Sequence, residues 1–148
     1  VTIITQNIDG LHQKAGSKKI IELHGNIFSV KCVVCNYKNK ITKEFLNQKK
    51  LCPECENLLR PDVVWFDEDL EPSVWSNAVN TILSSELLVV IGTSLEVEPA
   101  NELPILAKNK SIPIIEINPN PTKYSDLMTY CIRKKAVDGI EDVKRIQF

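Results

Sequence analysis

Three apolar runs punctuate the chain: VTIIT (Val1 to Thr5), LLVVIGTS (Leu87 to Ser94) and IPIIEIN (Ile112 to Asn118). Their β-branched content predicts strands. The last two lack polar alternation, as expected of parallel strands covered on both faces. QNID, GTS and NPN follow as loops at the strand ends. Trp75, Ala78, Val79, Ile82 and Leu83 recur at i, i+3, i+4, i+7 and i+8, which predicts a helix led in by Pro72. Pro104 is tolerated in a first turn, so a second helix is predicted over Leu103 to Asn109. Asp138 and Glu141 have the spacing of a capping box, and Ile140, Val143 and Ile146 supply an apolar stripe for a closing helix. From Val63 onward the order strand, helix, strand, helix, strand predicts an open α/β sheet, where ligands bind beyond the carboxyl ends of the strands.

At 148 residues, 43% of them hydrophobic, the chain suits one domain with a sizeable core. Eighteen basic residues stand against nineteen acidic ones, a net charge of -1, so no broad attraction to nucleic acid or anionic membrane is expected. No apolar run approaches the ~20 residues of a membrane span, and there is no basic start followed by an apolar segment. The expected setting is intracellular, the cytoplasm first, with nucleus and mitochondrion left open. The chain begins at Val1 and its one methionine is Met128, from which further sequence upstream is expected.

Cys32 and Cys35 form one CxxC pair, and Cys52 and Cys55 another, with sixteen residues between the pairs. Two short knuckles presenting four sulfurs fit a tetrahedral zinc ion; the alternatives are two disulfides or two redox dithiols. Four thiolates complete a structural site, so His24 is not needed as a ligand, and the metal is expected to be scaffolding. Cys131, in TYCIR, reads as a small buried residue of a short strand.

A lone histidine is usually structural, but His24 has context. TQNIDGLHQKAG (Thr5 to Gly16), ELHG, the paired knuckles, RPDVVWFDE and IGTSLEVEPA stand in one order that resembles the sirtuins, NAD-dependent protein-lysine deacylases. The resemblance runs from Val1 to about Val137. It implies a Rossmann-like parallel sheet with helices on both faces, plus a zinc module inserted at about residues 28–60, the whole of 1–148 being the carboxyl-terminal part of one catalytic domain.

By the same resemblance, His24 is the general base that takes a proton from the nicotinamide ribose, while the acyl-lysine oxygen captures the ribose carbon as nicotinamide departs. Gln6, Asn7, Ile8 and Asp9 line the ribose and nicotinamide pocket, with the aspartate on the carboxamide. Gly92, Thr93 and Ser94 match a cofactor loop, Asn118 the adenosine-ribose contact, and Ala136 a residue near the adenine. The acyl-lysine peptide is implied to add as a strand between Val64, Trp65, Phe66 and Glu68 on one side and Leu95, Glu96 and Val97 on the other. RPDVVWF most resembles the branch that removes acidic acyl groups such as succinyl. From the residues alone, Trp65 and Phe66 read equally as strand core, and Gly92 and Asn118 as turn residues.

The chain departs from the family pattern in several places. The glycine-rich phosphate loop, the arginine segment after it, and the tyrosine and arginine that read an acidic acyl group all precede the matched region. Asp67 stands where glycine is common, and KKAV lacks a glycine often found near the adenine. Two other readings are an inert zinc-containing interaction module and a zinc-ribbon nucleic-acid binder. The second is disfavoured because Lys43, Lys49 and Lys50 are mixed with Glu44 and Glu54 and few aromatics are available for stacking.

Overall fold

The computed structural model describes residues 1–46, 50–143, 145 and 146. The chain divides into two units, Val1–Ala78 and Val79–Phe148.

The first unit opens with β1 (Ile3–Thr5), which pairs in parallel with β2 (Ile20–Glu22) after the short helix α1 (Leu11–Lys14). The β-branched opening is thus a strand, shorter than VTIIT. Three further strands, β3 (Gly25–Cys32), β4 (Lys38–Lys40) and β5 (Leu59–Val63), form an antiparallel sheet in the order β4-β3-β5. Helix α2 (Lys43–Leu46) lies between β4 and β5 in the chain. Pro61 cannot donate to a ladder, yet it sits in β5 opposite Val30, where the register shifts. It is tolerated because β5 is an edge strand. The strand near Val63 was expected to begin the α/β sheet; it belongs to this antiparallel sheet instead.

Helix α3 (Pro72–Leu83) starts at the proline. Its predicted stripe is buried at Ala78 and Ile82, half-buried at Trp75 and Val79, and exposed at Leu83.

In the second unit, β6 (Leu88–Ile91), β7 (Ile114–Ile117) and β8 (Tyr130–Ile132) form a parallel sheet with β7 in the middle. All four residues of β7 are buried, consistent with its unbroken apolar reading apart from Glu116. Helix α4 (Leu103–Asn109) has the predicted bounds, with its proline in the first turn, and packs on β6 and β7. Helix α5 (Ala136–Val143) also packs on β7. A Cβ at Gly139 would come within 2.3 Å of the Ile117 side chain, so glycine permits that close approach. The fold is α/β, with a Rossmann-like parallel sheet and a separate small module that brings four cysteines together.

Two expectations in this unit need correction. Asp138 does not cap α5: the helix begins at Ala136, the Asp138 and Gly139 amides donate to Lys135 O, and Asp138 lies in the first turn, where a carboxylate favours the helix dipole. Ile146 falls beyond the helix end. Cys131 is exposed, like Tyr130 before it, because β8 is an edge strand of a three-stranded sheet. Among the described residues no helix is long and apolar enough to cross a membrane.

Candidate metal centre and active-site segments

β3 ends at Cys32, and the turn after it carries Cys35. The second knuckle is closed by backbone bonds from Cys52 N to Asn57 O (2.7 Å) and from Glu56 N to Cys52 O (2.9 Å). The Val34 and Cys35 amides point at Cys32 Sγ (3.4 and 3.5 Å), and the Glu54 amide at Cys52 Sγ (3.4 Å). Such donors favour thiolates. All four Sγ atoms lie within 4.8 Å of one another, and the Cys32–Cys55, Cys35–Cys52 and Cys35–Cys55 pairs are 3.5 Å apart. A tetrahedral ion with Zn–S bonds of about 2.3 Å needs sulfur separations of about 3.8 Å, so the cluster fits zinc.

The surroundings act on the sulfurs in opposite directions. The Asn57 backbone N–H and side-chain amide pull Cys55 down to about 6. Tyr37's backbone N–H acts the same way on Cys35, but burial and the Cys52, Cys55 and Cys32 sulfurs outweigh it and push that thiol up to about 12. A bound dication would favour the thiolate at every one of the four sulfurs.

His24 lies at the other end of β3. Over eight strand residues the separation from Cys32 is on the order of 20 Å, and among the described residues the metal-binding group contains the four cysteines without a histidine. The ring is half-buried, with Nδ1 3.1 Å from Gln6 O. A carbonyl only accepts, so Nδ1 carries the proton and Nε2 of the neutral ring presents a lone pair. The backbone is equally constrained. Leu23 N donates to Thr5 O (2.9 Å), and Val64 N donates to His24 O (3.0 Å). Gly25 is left-handed (φ 77°), and a Cβ there would sit 2.0 Å from Asp62 O.

The loop after β1 is held locally. Asn7 N donates to Thr5 Oγ1 (3.1 Å), and Ile27 N donates to Ile8 O (3.0 Å). Asp9 Oδ1 accepts the Leu11 amide (3.0 Å) at the start of α1, so part of that carboxylate already serves the fold. Gln6 and Ile8 are half-buried, while Asn7 and Asp9 are exposed.

Following β5, Val64 is half-buried, while Trp65 (55% exposed) and Phe66 (95%) stand in the open. The reading of these two aromatics as strand core is therefore overturned: β5 ends at Val63 and they lie in a turn. Glu68 accepts from Arg60 Nη2 through both carboxylate oxygens (2.6 and 2.8 Å) and from the Trp65 amide (3.1 Å). The Arg60 hydrogen bond, with the Trp65 amide, holds its carboxyl below the usual range. The same guanidinium stacks 4.2 Å from the Trp65 ring centre. Asp67 adopts φ 67°, the left-handed conformation glycine takes freely, so the turn keeps its shape despite the change of residue.

In the second unit a cleft of about 350 Å³ is lined by Gly92, Thr93, Ser94, Glu96, Asn118 and the 120–123 loop. Asn118 Nδ2 donates to Thr93 O (2.8 Å), joining the loops after β6 and β7. Gly92 has φ 62°, with no atom within 4 Å of where a Cβ would stand, so the cleft is open above it. Leu95 is buried and left-handed (φ 58°). Of its segment, only Glu96 and Val97 expose side chains. Ala136 is exposed at the start of α5 and is not among the cleft-lining residues. The stretch 133–136 holds no left-handed residue, so glycine is not required there. Sequence reasoning missed Arg60, Glu116 and Arg133. A carboxylate inside the apolar run IPIIEIN was the visible signal for the second.

Near the knuckles, Lys49 lies outside the described residues, and Lys50 is engaged with the carbonyl and ring of Phe45.

Comparison with known proteins adds three matches. An NAD-dependent protein deacylase of Aeropyrum pernix is 41% identical over 143 residues, covering 97% of this chain and 58% of that protein. The crystal structure of a Sir2 homolog–NAD complex superposes with a TM-score of 0.88 at 38% identity, over 98% of this chain and 57% of the other. A structure of Sir2 bound to acetylated peptide gives 0.86 at 35% identity, over 98% and 63%. The chain thus spans somewhat over half the length of these proteins. The Sir2 family profile matches residues 1–99, two thirds of the sequence, and with these relatives it establishes that the chain belongs to the Sir2 family.

Proposed function

We propose that this chain is the catalytic and zinc-bearing part of an NAD-dependent protein-lysine deacylase, which transfers the acyl group to ADP-ribose with release of nicotinamide. On this reading residues 1–148 belong to one catalytic domain with a zinc module inserted at about 28–60. The observation that carries the proposal is the fixed tautomer of His24: the Gln6 carbonyl holds Nδ1–H and leaves Nε2 free to accept a proton. The relatives named as NAD-dependent deacylases, and the Sir2 structures with NAD and acetylated peptide, support it.

Each residue then has a defined task. His24 Nε2 takes the proton from a ribose hydroxyl. Gln6, Asn7, Ile8 and Asp9 line the nicotinamide side. Gly92, Thr93, Ser94 and Asn118 border the cleft that receives the adenosine side, with Ala136 near the adenine. NAD, when bound, supplies the electrophilic ribose carbon. The acyl-lysine peptide lies against Val64, Trp65, Phe66, Glu68, Leu95, Glu96 and Val97, with Glu68 and Leu95 acting through their backbone because their side chains are engaged or buried. Cys32, Cys35, Cys52 and Cys55 hold a structural zinc. A zinc site of four thiolates suits a reducing intracellular compartment. Both acetyl and succinyl groups are candidate acyl chains.

The test is nicotinamide release by the full-length protein from acetylated and succinylated peptides. His24→Ala should lower release by at least about 100-fold, as for loss of a general base, with zinc content unchanged. Loss of zinc in that variant would overturn the assignment, as would release undiminished by it.

A further inference from the structure

Glu116 is 1% exposed. It lies on β7 two residues before Asn118, and the mechanism above makes no use of it. Three donors converge on its carboxylate: Thr122 Oγ1 on Oε1, and Ser125 Oγ (2.7 Å) and Arg133 Nη1 on Oε2. Burial favours the neutral acid, but these donors outweigh it and keep the carboxyl below its ordinary range. Ser125 is saturated as well. Its oxygen accepts from Thr122 N (2.8 Å) and Arg133 Nη2 (3.0 Å) while its proton goes to Glu116.

Arg133, at the end of β8, also reaches Asn118 O and Asn120 O, each at 3.4 Å. Asn118, Asn120 and Thr122 all line the cleft, whereas Glu116, Ser125 and Arg133 do not. The network therefore grips one wall of the cleft from behind.

A buried ion pair is a weak source of net stability, since a well-packed apolar pair serves as well. What charged, directional hydrogen bonds add is a unique geometry, here for a loop with no regular structure between Asn118 and the 3-10 turn at Ser125–Leu127. We propose that Glu116 and Arg133 are positioning residues that fix the 118–123 wall of the cleft and thereby set affinity for the adenosine half of the dinucleotide, a deepening that rests on the deacylase reading.

The full-length protein, its Glu116→Gln variant and its Ser125→Ala variant are titrated calorimetrically with NAD, and KM for an acylated peptide is measured at saturating NAD. Glu116→Gln should weaken NAD binding about tenfold and Ser125→Ala about threefold, the scale of one lost charged or neutral hydrogen bond. Peptide KM should stay within about twofold. Ser125→Ala removes a single half-buried hydroxyl outside the cleft lining and leaves the Glu116–Arg133 ion pair in place, so it tests the idea even if Glu116→Gln fails to fold. NAD affinity unchanged in both folded variants would overturn the proposal, and so would NAD and peptide affinities falling together, which marks general loosening. If the parent protein itself binds no NAD, the deacylase reading fails along with this one; if it binds and the variants match it, this inference alone fails.

Discussion

At the scale of single residues, Asp67 shows how a departure from a family pattern can leave conformation intact. It occupies a left-handed position, φ 67°, where an L-residue costs about 1 kcal/mol or more and aspartate is among the less costly choices. Asp67→Gly relieves that strain while adding backbone freedom to the unfolded chain. A net stabilisation of about 0.5 kcal/mol is expected, read as a higher urea midpoint at unchanged slope. The four knuckle cysteines were legible, unlike Cys131, because a CxxC pair is a local device whose geometry follows from its spacing. His24 was not. Its isolated letter says nothing of the Gln6 carbonyl eighteen residues away that selects its tautomer, and only the order of several motifs singled it out. Asp9 and Glu68 carry engagements with Leu11 and Arg60 that no spacing rule foretells.

At the scale of elements, glycine demand separates two positions of similar backbone. Gly25 and Gly92 are both left-handed, at φ 77° and 62°, but a Cβ at Gly25 would stand 2.0 Å from Asp62 O, whereas none lies within 4 Å at Gly92. Gly25→Ala should therefore cost about 3 kcal/mol or more, by forcing β3 and β5 apart. Gly92→Ala should cost about 1 kcal/mol, from conformation alone. Denaturant unfolding of the two variants side by side checks the contrast, and equal losses would contradict it. Strands β6 and β7 were legible because parallel strands covered by helices are apolar throughout. The antiparallel sheet was not, since Ile27 and Phe28 are exposed in β3 and Pro61 breaks the strand signal of β5. Only its edge position reconciles that proline with a strand. The cap of α5 was misplaced by three residues because capping-box spacing recurs inside a helix's first turn as readily as before it.

At the scale of the molecule, the chain separates its tasks between two units. His24 and the four cysteines belong to Val1–Ala78, and the cleft belongs to Val79–Phe148. The core of the second is a buried parallel strand and its helices; the first consists of two small sheets, one of which carries the knuckles. Cys32 and Cys52 are buried while the four sulfurs form one cluster, so a bound ion would tie the two knuckles together. Chelation, or Cys52→Ser, should therefore lower stability by at least about 3 kcal/mol, seen as a reduced thermal midpoint that added zinc restores in the parent chain and not in the variant. The division has an optical corollary. Both tryptophans of the chain, Trp65 and Trp75, fall in the unit that holds the sulfurs, so intrinsic indole emission originates wholly from that half. A change in colour or brightness on stripping the ion therefore reports on that half, and unfolding of the other half must be followed by a different signal.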